Sequence, residues 1–318
     1  AQAERVYKIT DASIADLQLI TPEDVEKAIG EALPAENTLT VSYDAVIKRL
    51  DALVGLHAVK KQVHRLFDFV RVQRERAHAG NRAATGFTQH LVFTGNPGTG
   101  KTAVARIVAD LYFSLEIIPT NRIIEVDRSG LVAGYVGQSA IQTRETVESA
   151  LGGVLFIDEA YSLVNGAESN AFGHEVVDTL LKAMEDFRDQ MVVIVAGYRE
   201  PMTRFIDSNP GLRSRFNHFI DFDDYAPEEL LAIFECFAGE SEYVLDAVAQ
   251  PYLLQQLTAL FRAGRTGDNA RFVRNVFQRC VEVQSQRIAQ AREQGEEDLN
   301  TLRQSDLVIA LDEVLHEG

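Results

Sequence analysis

The chain has 318 residues, of which 46% are hydrophobic and 25% are charged. This composition is that of a globular protein with room for one medium and one small packed unit, and it excludes a disordered chain. The formal net charge of −16 opposes binding to a phosphate backbone, so nucleic acid is disfavoured as a partner. No apolar run is long enough to cross a bilayer and the N-terminus lacks a signal-peptide pattern, so no membrane partner is expected.

The two cysteines, Cys236 and Cys280, have neither metal-ligand spacing nor the density of a disulfide framework. Both lie in helix-like apolar stretches, which favours two buried free thiols. A reducing, cytoplasmic location follows from that interpretation. The chain begins at Ala1 rather than Met, as expected of a processed chain or of a segment of a longer protein.

In chain order, residues 1–40 are predicted to form a helical extension, within which Thr21 caps a helix. Helical patterns then cover residues 43–53 and a long stretch that begins at His57. Short apolar, β-branched runs predict strands at 90–94, 122–126, 154–157, 191–196 and 218–222. Helix-period segments separate the first four runs, which is typical of a parallel sheet covered by helices.

After Asp224 the strand-like runs cease. Helices are predicted at 230–237, 253–261, 270–291 and 305–315. We therefore expect three parts: a helical extension over 1–40, a large α/β domain over 41–222 and a small all-helical domain over 223–318.

The segment from Gly95 to Thr102 matches the P-loop pattern GxxxxGK[ST] in full. Its glycines let backbone N–H groups surround phosphate oxygens, and the following helix adds its positive N-terminal end. Lys101 is expected to bridge the β- and γ-phosphates of ATP, and Thr102 to hold Mg²⁺. The bare pattern arises by chance in roughly one chain in a hundred of this length, but here it stands between a predicted strand and a predicted helix. The ATP-binding residues predicted in this loop are Gly95, Asn96, Pro97, Gly98, Thr99, Gly100, Lys101, Thr102 and Ala103.

Two acids, Asp158 and Glu159, directly follow the apolar run at 154–157. Acids at the end of a buried parallel strand lie at the carboxyl edge of the sheet, where open α/β sheets bind their ligands. Asp158 is expected to bind Mg²⁺, and Glu159 to orient and deprotonate the attacking water. The alternative is an ordinary acidic end of a strand, which the neighbouring P-loop makes a poor explanation.

With these two motifs, the chain resembles the AAA+ ATPases. Five further segments are similar to the group that contains the red-type Rubisco activase CbbX, the type VII secretion ATPase EccA and stage V sporulation protein K. They are Leu53-Val-Gly-Leu-His-Ala-Val-Lys60, Asp158-Glu-Ala-Tyr-Ser162, Val195-Ala-Gly-Tyr198, Asn209-Pro-Gly-Leu-Arg-Ser-Arg-Phe216 and Asn269-Ala-Arg-Phe-Val-Arg-Asn275. The resemblance covers residues 51–289. It implies an AAA+ P-loop NTPase fold with a five-stranded parallel sheet, a helical lid after it, and ATP and Mg²⁺ as cofactors.

The resemblance also implies roles for residues outside the two motifs. Val54, Gly55 and Leu56 would pack around the adenine. Arg215, with Arg213 as the alternative, would be the arginine finger that reaches the γ-phosphate of a neighbouring subunit.

Two further roles concern residues that would touch the nucleotide of their own subunit. Arg271 would be the sensor 2 residue of the lid. Many AAA+ proteins carry Asn or Thr as sensor 1 after the fourth strand, whereas this chain has Tyr198 and Arg199, either of which could take the role. Without the P-loop, surface solvation would be the preferred explanation of Arg213 and Arg215, and a helix salt bridge that of Arg271.

Tyr135 and Val136, between Gly134 and Gly137, resemble the substrate-gripping loop of ring-shaped unfoldases. A tyrosine ring on a glycine hinge offers a sequence-tolerant apolar grip on a peptide. The alternative is a tyrosine packed at the edge of a loop. Since arginine fingers act between subunits, a homo-oligomeric ring, most simply a hexamer, is expected in either case.

Three functions are compatible with these residues. The first is a motor that hydrolyses ATP and remodels a protein client. The second is a nucleic-acid-directed motor, which the acidic charge and the uncharged loop at 134–137 disfavour. The third is a scaffold that assembles in response to ATP without threading a client.

Overall fold

The structure, a computed structural model, describes residues 42–80, 89–133, 138–164, 170–291 and 298–317. The helical extension predicted over 1–40 lies outside these residues, as does the loop that carries Tyr135 and Val136.

The described part of the chain contains a five-stranded parallel sheet with the strand order β2-β3-β4-β1-β5. Its strands are β1 (Leu91–Gly95), β2 (Ile123–Val126), β3 (Val154–Ile157), β4 (Val192–Gly197) and β5 (His218–Phe222). The predicted parallel sheet is confirmed, with strand ends that differ from the prediction by no more than one residue.

The helices before β5 are α1 (Tyr43–Ala52), α2 (His57–His78), α3 (Lys101–Ser114), α4 (Gln138–Ala150), α5 (Asn170–Asp186), α6 (Arg199–Asp207) and α7 (Pro210–Arg215). Two 3₁₀ turns, Arg128–Gly130 and Ala160–Leu163, follow β2 and β3. After β5 come α8 (Pro227–Glu240), α9 (Ala249–Arg262), α10 (Asn269–Ala291) and α11 (Gln304–Glu317).

The burial of the strands agrees with their central or edge position in the sheet. Every residue of β1, β3 and β4 is buried, as expected of central strands with helices on both faces. The edge strands β2 and β5 are partly exposed and carry charged residues, Glu125 and Asp221. The register pairs Phe93 of β1 with Ala196 of β4, so the turns that follow both strands reach the same edge of the sheet.

The helical part after β5 differs from the prediction in one respect. The expectation that strands cease after Asp224 is wrong, because β6 (Val244–Leu245) and β7 (Thr301–Leu302) form a short parallel pair. Two residues are too few to produce an alternating pattern, so no sequence signal marks this pair. The four predicted helices are present, with ends that extend beyond the predicted bounds by up to four residues. The ring of Phe277 packs edge-on against Phe234, with 5.6 Å between the centroids.

The thiols are free but not alike. Cys280 is buried within α10, and its burial raises the pKa of the thiol to about 12. Cys236 is exposed, so the prediction of two buried thiols is wrong for this residue. The reason is that Cys236 belongs to the part of α8 that lines an open cleft. No helix within the described ranges is long and apolar enough to cross a membrane.

Candidate active site

A cleft of about 640 Å³ lies at the carboxyl edge of the sheet, between the turns after β1, β3 and β4 and the helices α8 and α10. It brings together residues that are far apart in the chain. The predicted site residues in its lining are Val54, Gly95, Pro97, Gly98, Gly100, Lys101, Thr102, Ala103, Asp158, Glu159, Tyr198 and Arg271.

The loop between β1 and α3 has the geometry of an anion cradle. Gly98 and Gly100 have φ values of +70° and +93°, which side-chain-bearing residues rarely adopt. Within the described ranges, the N–H groups of residues 98–102 donate no hydrogen bond. Successive free N–H groups at the start of a helix bind phosphate oxygens.

Lys101 lies at the base of this cradle. Its Nζ donates to the carbonyl oxygens of Gly95 at 3.0 Å and Asn96 at 2.8 Å. Burial lowers the pKa of Lys101, while the carboxylate of Asp158 acts in the opposite direction. Among the described residues, the Lys101 amine donates to neutral carbonyls alone. A lysine that is partly buried and bonded in this way can exchange the carbonyls for phosphate oxygens.

Asn96 and Thr99 belong to the predicted ATP-binding set but do not line the cleft. Asn96 donates its amide protons to both carboxylate oxygens of Asp224 at 2.9 Å. Thr99 is fully buried and donates to the carbonyl oxygen of Asn96 at 2.8 Å. Both side chains therefore stabilise the conformation of the loop through hydrogen bonds outside the cleft.

Glu159 stands in an unusual backbone conformation beside the cradle. Its φ is +49°, a left-handed value that non-glycine residues adopt at a cost of order 1–3 kcal/mol and mostly at functional sites. Its backbone N–H donates to Asp158 Oδ1 at 3.0 Å, and its side chain is exposed to the cleft. The turn thus presents both carboxylates to the same space.

Tyr161 is a neighbour that the sequence analysis gave no role. Its ring packs against Gly197, where an added Cβ would lie 2.7 Å from Cδ1, and stands 6.0 Å from the ring of Tyr198. Burial, and then the nearby charge of Glu159, raise the pKa of Tyr161 to about 12. Its place in the quoted motif 158–162 was the signal that could have found it.

The oxygen donors near the cradle fit Mg²⁺. Thr102, which has a hydroxyl, and Asp158, which has a carboxylate, line the main cleft and also a second cavity of about 380 Å³. Mg²⁺ is usually held by one or two protein oxygens together with phosphate oxygens and water, so no larger ligand cluster is required. The described ranges contain no group of three or more His, Cys, Asp or Glu side chains that could hold a metal.

The other end of the cleft is apolar. Leu53 and Val54, from the turn after α1, share it with Ile233 and Phe237 of α8, and the Arg274 guanidinium lies 4.9 Å from the centroid of the Phe237 ring. Sequence reasoning missed these three lid residues. Their spacing was the available signal, since Ile233 and Phe237 are four apart on one helix and Arg274 follows Arg271 by three.

Gly55 and Leu56 follow Val54 but are not among the lining residues. The side chain of Glu229 occupies the position where a Cβ of residue 55 would be. Leu56 is nearly buried and lies behind Gly100, with its Cδ1 3.6 Å from a Cβ built there. Of the three predicted adenine contacts, the structure brings Val54 to the cleft.

Arg213 and Arg215 both lie on α7, outside the cleft lining. Arg215 Nη2 pairs with Glu185 Oε2 at 3.1 Å, its Nη1 donates to the Gly211 carbonyl at 3.4 Å, and its side chain is 25% exposed. Arg213 is 71% exposed and pairs with Asp207. Arg215 is therefore held in place, whereas Arg213 extends into solvent.

Of the two candidates for sensor 1, Tyr198 borders the cleft. Arg199 instead pairs with Asp221 at 3.6 Å and Asp223 at 3.4 Å, beside the end of β5. Tyr135 and Val136 are outside the described residues.

Comparison with known families agrees with this geometry. The profile described as "ATPase family associated with various cellular activities (AAA)" matches residues 91–224, and that of the "AAA lid domain" matches residues 226–317.

Several curated proteins are similar in sequence. Stage V sporulation protein K of Bacillus subtilis is 36% identical over 294 residues, which are 92% of this chain and 91% of that protein. ESX-1 secretion system protein EccA1 of Mycobacterium tuberculosis is 41% identical over 264 residues, 80% of this chain. The chain spans 46% of the length of EccA1.

Solved structures show the same fold at lower identity. The FIGL-1 AAA domain in complex with ADP has a TM-score of 0.57 and 18% identity, with 93% of this chain and 91% of that chain covered.

The sheet, the P-loop and the paired acids define a P-loop nucleoside triphosphatase with a helical lid. Taken with these matches, they establish that the chain belongs to the AAA ATPase family. It is an enzyme that binds and hydrolyses ATP.

Proposed function

We propose that this ATPase works as a ring of identical subunits, most simply a hexamer, that pulls on a protein client through Tyr135. In this proposal residues 41–222 form the nucleotide-binding domain and residues 223–318 form the lid. The observation that carries the ring is the position of Arg215, which is held at the surface of the α/β domain and away from the cleft of its own subunit.

The catalytic roles within one subunit follow from the cleft. Lys101 and the free amides of the P-loop would hold the β- and γ-phosphates, and Glu159 would orient the attacking water and accept its proton. Thr102 and Asp158 would hold Mg²⁺, which when bound neutralises charge on the phosphate oxygens. Arg271, from the lid, would add a positive charge at the phosphates.

One cation is still missing from this arrangement, because stabilising the transferring phosphoryl group in such sites commonly requires an arginine finger. Arg215 is suited to the role in a neighbouring subunit. Its Nε is buried without a hydrogen-bond partner in the described part of the chain, and one ion pair to Glu185 orients the guanidinium. A held arginine loses less side-chain entropy than a free one when it binds an anion.

A route from the nucleotide to the predicted gripping loop supports the motor. The segment after β2 shares the second cavity with Thr102 and Asp158, through Asp127, Ser129 and Gly130. Arg128 of this segment donates to the Ser162 carbonyl at 2.5 Å, in the turn that follows Glu159. Movement at the phosphates would therefore be transmitted toward residues 134–137.

The flank of the gripping loop is also anchored. The Ala133 N–H donates to the Ser139 Oγ at 3.0 Å, across residues 134–137, and the Thr143 hydroxyl donates to the Leu131 carbonyl at 3.1 Å. These bonds fix residues 131–133 to the start of α4, on the two sides of residues 134–137.

The client is proposed to be a protein because the loop is aromatic and uncharged and the chain is acidic. Relatives whose names refer to a secretion system and to sporulation are consistent with several clients. The free thiols of Cys236 and Cys280 favour a reducing, cytoplasmic setting.

The ring is tested by mixing two inactive variants, Glu159→Gln and Arg215→Ala. Each is expected to assemble and bind ATP but to hydrolyse it very slowly. At equal amounts, about a quarter of the interfaces in mixed rings would join an intact Glu159 to an intact Arg215, so turnover should return. If the mixture stays as inactive as its parts while an affinity tag on one variant co-purifies the other, Arg215 does not act between subunits.

Client gripping is tested by Tyr135→Ala. The control is Tyr135→Phe, which keeps the aromatic side chain. The alanine variant should keep its basal ATPase rate and lose acceleration by an unfolded protein such as casein, whereas the phenylalanine variant keeps both. Equal acceleration in all three proteins would favour the scaffold. A salt-sensitive acceleration by DNA or RNA instead of casein would favour a nucleic-acid motor.

A further inference from the structure

Asn269, the first residue of α10, is a buried polar residue that the roles above do not use. It is fully buried and has a left-handed φ of +50°. Its Nδ2 donates to the Pro97 carbonyl at 3.3 Å and to Asp224 Oδ1 at 2.8 Å, while its Oδ1 accepts from the Tyr225 N–H at 2.9 Å. One side chain thus joins the P-loop, the segment after β5 and the lid helix.

The contact extends along the P-loop. The Ala270 N–H donates to the Gly98 carbonyl at 3.2 Å, and the Tyr225 hydroxyl donates to the Thr99 carbonyl at 3.3 Å. Together with the Asn96–Asp224 bonds, residues 96–99 are each connected to the segment 224–225 or to the start of α10.

Gly98 shows how close this approach is. A Cβ at that position would overlap the Asp268 carbonyl and lie 2.8 Å from the Arg271 backbone nitrogen. The P-loop at Gly98 is therefore in close backbone contact with the turn at the start of the lid helix α10. The backbone of Arg271 is therefore in contact range of the loop that would hold the phosphates.

The hydrogen bonds and the backbone conformation at this position suit asparagine. Its amide donates and accepts at once, and asparagine tolerates the left-handed backbone better than most residues. Aspartate would be nearly the same size, but it would set an acceptor against the Pro97 carbonyl and the Asp224 carboxylate. Glycine would keep the backbone and lose all the side-chain bonds.

We propose that Asn269 is a positioning residue that couples the conformation of the P-loop to the lid helix and so sets Arg271 against the nucleotide phosphates. The proposal rests on the role of Arg271 given above. Asn269 itself does not line the cleft, so it acts through Arg271 and not by touching ATP.

The test is a double-mutant cycle on the full chain with Arg271→Ala and Asn269→Gly, read as kcat/KM for ATP. Each single variant should lose roughly ten- to a hundredfold, the range for removing hydrogen bonds that involve charged groups. If Asn269 acts through Arg271, the double variant should match Arg271→Ala within about twofold. Asn275→Asp, an exposed asparagine on the same helix, is the control and should match the wild type.

The outcomes distinguish a failure of the proposed coupling through Asn269 from a failure of the proposed role of Arg271. If Arg271→Ala lowers kcat/KM and the losses multiply in the double variant, Asn269 does not act through Arg271 and the inference is wrong. If Arg271→Ala has no effect, its sensor role fails and the inference fails with it. Asn269→Asp should also lose activity although it keeps the side-chain size, and if it does not fold, Asn269→Gly carries the test alone.

Discussion

His90, immediately before β1, makes the stability of this protein sensitive to acid. Its side chain is almost completely buried, its Nδ1 accepts a hydrogen bond from the Val193 N–H at 3.0 Å, and its ring lies 6.0 Å from that of Phe216. Burial lowers the pKa of His90 to about 4, and the positive charge of Arg215 adds to the effect. The native fold therefore holds this histidine neutral.

The magnitude follows from linkage between protonation and folding. An unfolded histidine has a pKa near 6.5, so below that pH the unfolded chain takes up a proton that the folded chain refuses. Stability from this residue is complete above about pH 6.5 and falls until about pH 4. Because each pKa unit corresponds to about 1.4 kcal/mol, the free energy of unfolding should drop by about 3 kcal/mol from this residue alone.

The assay is denaturant unfolding of the wild type and His90→Asn at pH 7 and pH 4. Asparagine keeps an acceptor near the position of Nδ1 and does not titrate. It is smaller than histidine, so lost packing makes the variant less stable than the wild type at pH 7. The difference between the two proteins should shrink by about 3 kcal/mol on going to pH 4, since the carboxylates contribute equally to both. His78→Asn, at an exposed site at the end of α2, should follow the wild type. A wild-type advantage over His90→Asn that does not change with pH would refute the reasoning.

Three further predictions concern the site and the lid. Glu159→Gln should keep its affinity for ATP and lose roughly 10²- to 10⁴-fold in phosphate release, the usual contribution of a general base; normal turnover would contradict the assignment. Gly98→Ala should weaken nucleotide binding measured by calorimetry, because its Cβ overlaps the Asp268 carbonyl, whereas Gly264→Ala, at a similar φ of +67° with open space around it, should leave binding unchanged. Asp306→Asn should lower the free energy of unfolding by roughly 3 kcal/mol, because it removes the charge that pairs with Arg287 at 2.9 Å in a buried setting; a loss under about 1 kcal/mol, typical of an exposed pair, would show that the pair contributes little.

The P-loop and the acid pair of the cleft could be predicted from the sequence because each is a short contiguous segment. The spacing from Gly95 to Thr102 requires a strand before it and a helix after it, and both are present. Asp158 and Glu159 follow an apolar strand, and a strand that ends in acids brings them to the same edge of the sheet as the P-loop. These features depend on local periodicity and on the residue types that phosphate chemistry needs.

Other features depended on packing between distant segments. Ile233 and Phe237 reach the apolar end of the cleft because the lid helix α8 lies across from residues 52–54. Their spacing indicates only that they share one helix face, and does not indicate what that face contacts. Cys236 was misjudged for the same reason, since an apolar helix lining a cleft has the same pattern as one in a core.

Asn269 and Arg215 show most clearly which features the sequence predicts and which depend on the tertiary structure. Both belong to segments that resemble a known family, yet the bond from Asn269 to Pro97 spans 172 positions in the chain, and Arg215 stands apart from its own cleft. The sequence determined which residue types stand at each position of the motifs. Only the tertiary structure decided which of them meet in one subunit, because such contacts arise from the packing of whole helices on a sheet and leave no periodic trace in either segment.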